Sequence, residues 1–250
     1  MTKPLTVLKS VGPKLVPFFK TCAIYFVLYS DESKASGIFY CIVKCLPVVS
    51  LILFVFLDGM SLSEYYRYSR RILIGLIFSC FGDIALVWKN TQWGFEIGLL
   101  MFAIAQIEYA RAFGWRPLNL YAGGTFAVLG SMVYYFLSTH VSGIMSYLIA
   151  LYITLICTMA WRAVARVQLF DDLWTWSKLC GCFGAICFVL SDLTIAVDKF
   201  CYDSKFPFAH HIVMLTYYAA QVGIALSVVD SQVDELLKKT ANFHQQLHIE

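Results

Sequence analysis

Four ionisable residues, Lys20, Lys44, Asp83 and Asp192, stand inside apolar stretches of this 250-residue chain. An ionisable group in hydrocarbon is costly, so each asks for a function and a partner. Two carboxylates held near one another in a low dielectric do not both ionise easily; one then keeps a proton to donate while the other stays a base. Two lysines beside them balance that charge, which also allows a plainer reading, two buried ion pairs that fix helix register. Gln106, Tyr152, Tyr217, Tyr218 and Gln221 lie in the same stretches and are able to donate hydrogen bonds into a cavity or to join helices. Glu96 and Glu108 fall toward the ends of one stretch, where the first can snorkel to water and the second has Arg111 one turn on.

Other chemistries are less well supplied. His140, His210 and His211 fall at one predicted rim, yet no HExxH or paired-cysteine spacing accompanies them, so neither a metal nor a cofactor is expected. His244 and His248 form an i,i+4 pair in the polar tail and read as solvated. Nine cysteines are present without a CxxC pair, most of them in apolar stretches, and they read as small packing residues. There is no GxSxG elbow and no phosphate-binding glycine loop. Gly82-Asp83 matches half of the GxGD element of intramembrane aspartyl proteases, but Cys80 stands where that element needs glycine, and no PAL tripeptide occurs.

The elements that must position these residues follow from composition. Sixty percent of the chain is hydrophobic and 14% charged, with a mean hydropathy of +0.70, so the solvent it suits is a bilayer. A hydrocarbon core needs roughly 20 apolar residues per span, and eight such stretches can be read. They run over about Leu15 to Tyr29, Gly37 to Leu57, Ile72 to Trp88, Trp93 to Phe113, Leu118 to Leu137, Val141 to Trp161, Leu179 to Val197 and Ala209 to Val229. The fold class predicted is all-α, a polytopic helical membrane bundle. The first stretch is the weakest; it holds Lys20 and lacks a convincing cleavage site, so it is expected to be retained rather than removed as a signal peptide. Residues 1–229 form one membrane domain and 230–250 a polar tail.

Eight spans place Arg67, Arg70, Arg71, Arg111, Arg116, Arg162, Arg166, Lys178, Lys238 and Lys239 on one side together with Lys3, Lys9 and Lys14. Only Lys34, Lys89, Lys199 and Lys205 face the other. The positive-inside bias therefore predicts that both termini are cytoplasmic. Divided in this way, the basic residues build no stripe for a phosphate backbone, and nucleic acid is not an expected partner. Counting from the non-cytoplasmic end of each span puts Lys20, Lys44, Asp83 and Asp192 all roughly 8 to 14 Å deep, a level at which they are able to share one pocket. A faint repeat accompanies them. Gly82-Asp83 and Ala105-Gln106 in spans three and four are answered by Ser191-Asp192 and Ala220-Gln221 in spans seven and eight, a parallel four-helix duplication about an axis along the membrane normal. Midplane charge in a repeated fold also suits a carrier of lipid or small solute.

Several longer stretches carry a resemblance: GPKLVPFFK (Gly12 to Lys20), KCLP (Lys44 to Pro47), FSCFGDIALVW (Phe78 to Trp88), GLLMFAIAQIEYARAFG (Gly98 to Gly114), FGAICFVLSDLTIAVDKF (Phe183 to Phe200) and YYAAQVGIALS (Tyr217 to Ser227). With these the chain resembles the YhhN-type lysoplasmalogenase family of eight-span membrane proteins, over almost everything before the tail. The resemblance implies a hydrolase of the endoplasmic reticulum membrane that cleaves the vinyl ether bond of lysoplasmalogens. Its products would be a fatty aldehyde and glycerophosphocholine or glycerophosphoethanolamine, and its partners a lysophospholipid substrate and membrane lipid. Such cleavage proceeds by protonation of the β-carbon, addition of water to the oxocarbenium ion and collapse of the hemiacetal. An acid carboxyl with a second carboxylate beside it suits those steps. Asp83 and Asp192 are then the expected catalytic pair, with their roles open. Lys20, Lys44, Gln106, Tyr152, Tyr217 and Gln221 are the expected substrate-binding residues, the lysines balancing charge or holding the lipid phosphate.

Overall fold

The structure is a computed structural model, and it describes residues 4–29, 36–58, 66–88, 91, 93–167, 175–201 and 208–229, with side chains from Val11 onward. The polar tail predicted over 230–250 lies outside the described residues. Eight α-helices and no strands make up the described chain: α1 (Pro4–Leu28), α2 (Gly37–Leu57), α3 (Arg67–Val87), α4 (Gly94–Phe113), α5 (Leu120–Ser138), α6 (Ile144–Val167), α7 (Trp176–Phe200) and α8 (Ala209–Leu226). Each predicted span has its helix. α1 begins well before the predicted start at Leu15, because Pro13 and Pro17 are accommodated inside it and the Thr21 hydroxyl returns to the Pro17 and Phe18 carbonyls.

Five helices, α1, α2, α5, α6 and α7, are long and apolar enough to cross a membrane by length and composition. The other three fall short of that apolarity because of the polar residues they carry. α3 opens on Arg67, Arg70 and Arg71 and holds Asp83, α4 holds Glu96, Gln106 and Glu108, and α8 holds His210, His211 and Gln221. Polar groups in hydrocarbon are tolerated where neighbouring helices enclose them, and the packing does so.

That packing follows a repeat. α1 lies on α2, α2 on α3 and α3 on α4; in the second half α5 lies on α6, α6 on α7 and α7 on α8. The halves join where α4 meets α6 and α8 meets α2. Advancing every helix by four maps this set of contacts onto itself, the pattern a two-fold axis along the bundle produces. α2, α3, α4, α6, α7 and α8 thus close a ring, with α1 and α5 as corresponding outer helices.

Two glycines in corresponding places sit at close contacts between neighbouring helices. Gly75 follows the start of α3 by the same interval as Gly184 follows the start of α7. A Cβ at Gly75 would fall 2.2 Å from the Tyr109 ring, and one at Gly184 would fall 2.7 Å from the Ala220 carbonyl oxygen and 2.8 Å from the Ile224 nitrogen. Small residues at such crossings let membrane helices approach backbone to backbone. The α4–α5 connection is held differently. Arg162, counted at sequence level among the loop charges, is fully buried in α6 and donates from Nε to the Gly114 carbonyl (2.6 Å) and from a terminal nitrogen to that of Pro117 (2.9 Å), between the Trp115 and Trp161 rings.

Candidate functional site

Asp83 lies near the end of α3, 2% exposed, with α2 on one side and α8 on the other. Lys44 of α2, 6% exposed, places its ammonium 3.2 Å from Asp83 Oδ1 and donates to the Asp83 backbone carbonyl at 3.3 Å. Tyr217 of α8 donates its hydroxyl to Asp83 Oδ2 at 2.5 Å, and the neighbouring Tyr218 donates to the Lys44 carbonyl at 2.9 Å. A buried charge survives when it is paired and its lone pairs are occupied, and this one is. The Phe102 and Phe188 rings meet Tyr217 edge to face, with centroids 5.9 and 5.7 Å away. Phe102 reaches this position because residue 82 is glycine; a Cβ there would fall 2.7 Å from its ring.

Asp192 has the corresponding place in the other half, following the start of α7 by the interval that separates Asp83 from the start of α3. Its surroundings differ. No lysine meets it; Tyr152 of α6 donates its hydroxyl to Asp192 Oδ2. α6 answers α2 in the repeat, so Tyr152 occupies the part that Lys44 plays for Asp83. Asp192 is also the more open of the two. It lies on the wall of a cavity of about 140 Å³ bounded by α3, α4, α5, α6 and α7, with Tyr152 beside it and an otherwise hydrocarbon lining that includes Leu86, Phe95, Phe102 and Phe126. Asp83 does not line this cavity, although the two carboxylates are close enough to interact electrostatically.

Two buried glutamines complete the arrangement. Gln106 of α4 is wholly buried beside the Tyr152 hydroxyl, and neither of its amide atoms completes a hydrogen bond. Gln221 of α8 accepts from the Tyr109 hydroxyl at 3.0 Å, and Tyr109 in turn lies 3.3 Å from the Ser79 hydroxyl. Tyr217 belongs to the enclosed Asp83 network and Gln221 to the Tyr109–Ser79 chain, and neither lines the cavity, whereas Tyr152 does.

The predicted meeting of four ionisable groups is corrected in two respects. Lys20 is exposed on α1 and is not brought to either aspartate. One lysine–aspartate pair forms, Lys44 with Asp83, and tyrosine takes the second lysine's part at Asp192. Of the rim histidines, His210 and His211 stay side by side with ring centroids 5.7 Å apart. His210 bonds the Tyr25 hydroxyl at 3.1 Å, His140 bonds Thr139 and the Phe136 carbonyl at the end of α5, and among the described residues no group of three or more His, Cys, Asp or Glu is placed to hold a metal. Tyr109 and Ser79 were not singled out by sequence reasoning. The i,i+3 spacing of Tyr109 from Gln106 was the available signal.

A helical bundle that crosses the membrane several times and holds an interior pair of carboxylates, one sealed by a lysine and one facing an apolar cavity, is the class of protein the fold and site define. The chain belongs to the YhhN family, whose profile matches residues 39–228. It is 44% identical to lysoplasmalogenase TMEM86A of Bos taurus and 43% identical to its human counterpart, in each case over 93% of this chain and 95% of the relative. Lysoplasmalogenase TMEM86B of Sus scrofa is 36% identical over 88% of both chains. No solved structure matches the chain.

Proposed function

We propose that the protein hydrolyses the vinyl ether bond of lysoplasmalogens, with Asp192 as the acid at the reacting carbon and Asp83 as the fixed negative charge behind it. It is an enzyme of the lysoplasmalogenase class, as the names of its relatives indicate, and a lysophospholipid is its substrate. The observation that carries the assignment of roles is the placement of Asp192 and Tyr152 on the wall of an otherwise apolar cavity. A vinyl ether is an apolar group that needs one proton and one water, and such a wall offers it little else.

Tyr152 donates to Oδ2 and so leaves Oδ1 to carry the transferable proton. That proton passes to the β-carbon of the alkenyl chain, and the carbon bonded to the ether oxygen becomes the oxocarbenium centre. The Asp192 carboxylate so formed stabilises the cation and takes a proton from the water that adds to it, giving a hemiacetal. Transfer of the hemiacetal hydroxyl proton to the ether oxygen then releases the fatty aldehyde and the glycerophosphocholine or glycerophosphoethanolamine. Asp83, held by Lys44 and Tyr217, is a fixed carboxylate behind the acid in an apolar interior. The reaction is set in the endoplasmic reticulum membrane, with both termini cytoplasmic.

Aldehyde release by the purified protein from lysoplasmenylcholine and lysoplasmenylethanolamine tests this directly. Asp192→Asn is expected to lower turnover by the ~10²- to 10⁴-fold that a general acid contributes. Asp83→Asn, made together with Lys44→Met so that no buried charge is left unpaired, is expected to lower it as well, with Asp192→Asn and the double variant still monodisperse in detergent. Undiminished turnover in Asp192→Asn would falsify the assignment. The two-fold contact pattern of the bundle also suits a lipid carrier; movement of the lysolipid across a vesicle membrane without aldehyde formation would favour that reading.

A further inference from the structure

The cavity that holds Asp192 is too small for the lipid that the proposed reaction needs. Its volume of about 140 Å³ falls below the ~300 Å³ at which small-molecule pockets begin. Below Asp192 it is also short: from Tyr152 to Cys157, both on its wall, α6 rises only ~8 Å. A membrane lipid tail spans a leaflet, ~15 Å or half the hydrocarbon core. The opposite end of the cavity, at Phe95 and Phe200, has the Lys199 ammonium 4.2 Å from the Phe95 ring centroid. A cation there favours the phosphate-bearing head at that end and the hydrocarbon tail at the other.

A second cavity, about 510 Å³, runs along the outside of the α5–α6 seam. Phe126, Gly130, Ile153 and Cys157 line both it and the inner cavity, so at these four residues a single layer of side chains stands between them. Gly130 is where the two helices touch: an added Cβ would stand 3.0 Å from Cys157 Sγ and 3.3 Å from Ile153 Cγ2, so a chain passes there only when α5 draws away from α6. α5 is also the most loosely held wall of the bundle. Only Gly130 and Leu137 of its residues are buried, and Val128, Met132 and Tyr135 face outward.

Resting on the proposed vinyl ether chemistry, we propose that the loosely held α5 draws away from α6 and the hydrocarbon chain of the substrate crosses the seam at Gly130, its reactive end at Asp192 and its tail in the outer groove. Gly130 is then a specificity-determining residue. It lets a chain of leaflet length be bound half inside the protein and half against the bilayer, and it makes the seam the lateral way in from the membrane.

The native Cys157 provides the test. The position of a Gly130 Cβ is 3.8 Å from Cys157 Cβ, the mean separation in disulfides, ~3.8 Å, so Gly130→Cys is able to staple the seam shut on oxidation. Two substrates are compared, lysoplasmenylcholine with a chain of leaflet length and an analogue whose chain ends within the inner cavity. Oxidation of G130C is expected to lower the ratio of long-chain to short-chain turnover at least tenfold below that of the same variant kept reduced, and reduction of the oxidised sample to return it to the reduced variant's value, so that folding is controlled within one preparation. Gly130→Leu lowers the same ratio without redox dependence, and G130C/C157A shows no response to oxidation. An unchanged ratio between the oxidised and reduced forms, with disulfide formation verified by mass, overturns the inference while leaving vinyl ether hydrolysis intact. A wild-type protein that releases aldehyde from neither substrate removes the proposed function, and this inference with it.

Discussion

Lys44 and Asp83 are a buried pair in which each member is the other's reason for being tolerated, and removing one should be worse than removing both. Breaking a buried ion pair by deleting one partner costs about 3 to 5 kcal/mol, because an uncompensated charge stays behind. Lys44→Met is therefore expected to lower the thermal stability of the detergent-solubilised protein by an amount of that order. Lys44→Met combined with Asp83→Asn should recover most of it while remaining catalytically impaired. Equal melting temperatures for the wild type and Lys44→Met would mean that the pair does not hold charge in the bundle. At the other aspartate the single tyrosine is the sensitive point. Tyr152→Phe removes the hydroxyl that fixes Asp192, and the loss of a hydrogen bond to a charged or reacting group, ~1.5 to 3 kcal/mol, predicts a tenfold or greater fall in kcat. If Tyr152 only packs, kcat stays within twofold. Both aspartates were legible in the sequence because carboxylates in apolar stretches are conspicuous. Their division into a sealed and an open member was not. A depth count fixes position along a helix axis and says nothing of rotation about it, which is why Lys20, at a matching depth, faces outward instead of inward.

Among the helices, the eight predicted spans were readable from hydropathy and turn spacing, and α2 carries the predicted bounds of Gly37 to Leu57. Hydropathy speaks less well for α3, α4 and α8, since helices enclosed by others are free to carry polar residues that a lipid-facing helix is not. The α3–α4 and α7–α8 contacts depend on glycines whose importance composition does not reveal. Gly184→Ala would drive a Cβ against the Ala220 and Ile224 backbone, where nothing flexible can give, whereas a Cβ at Gly124 meets nothing within 4 Å. Overpacking a tight contact typically costs ~1 to 3 kcal/mol, while Gly→Ala in an open helical position gains up to ~1 kcal/mol. Gly184→Ala is thus expected to destabilise the protein and Gly124→Ala to leave it unchanged or slightly firmer. Thermal unfolding of the two variants side by side checks this, and a reversed order would mean that α7 and α8 are not packed as described.

For the whole molecule, two-fold repetition explains why one site has two aspartates and only one lysine partner. Duplication supplies the same carboxylate twice, and the halves then differ in what surrounds it: Lys44 and Tyr217 close over Asp83, while Tyr152 and an apolar cavity attend Asp192. The faint sequence signal, two dipeptides in each half, was enough to place the axis but not to show this divergence, because the partners come from helices of different composition. The same repetition constrains orientation. Both aspartates lie toward the end of the bundle where α3 and α7 finish, and that end carries Lys199, whereas Arg67, Arg70, Arg71, Arg111, Arg116, Arg162 and Arg166 gather at the other. The positive-inside rule then predicts a reactive level in the leaflet away from the cytoplasm and both termini on the cytoplasmic side. An epitope appended after Glu250 should be stained in cells whose plasma membrane alone has been permeabilised. If staining requires permeabilisation of the internal membranes too, the orientation is inverted, and Asp192 meets its substrate in the cytoplasmic leaflet instead.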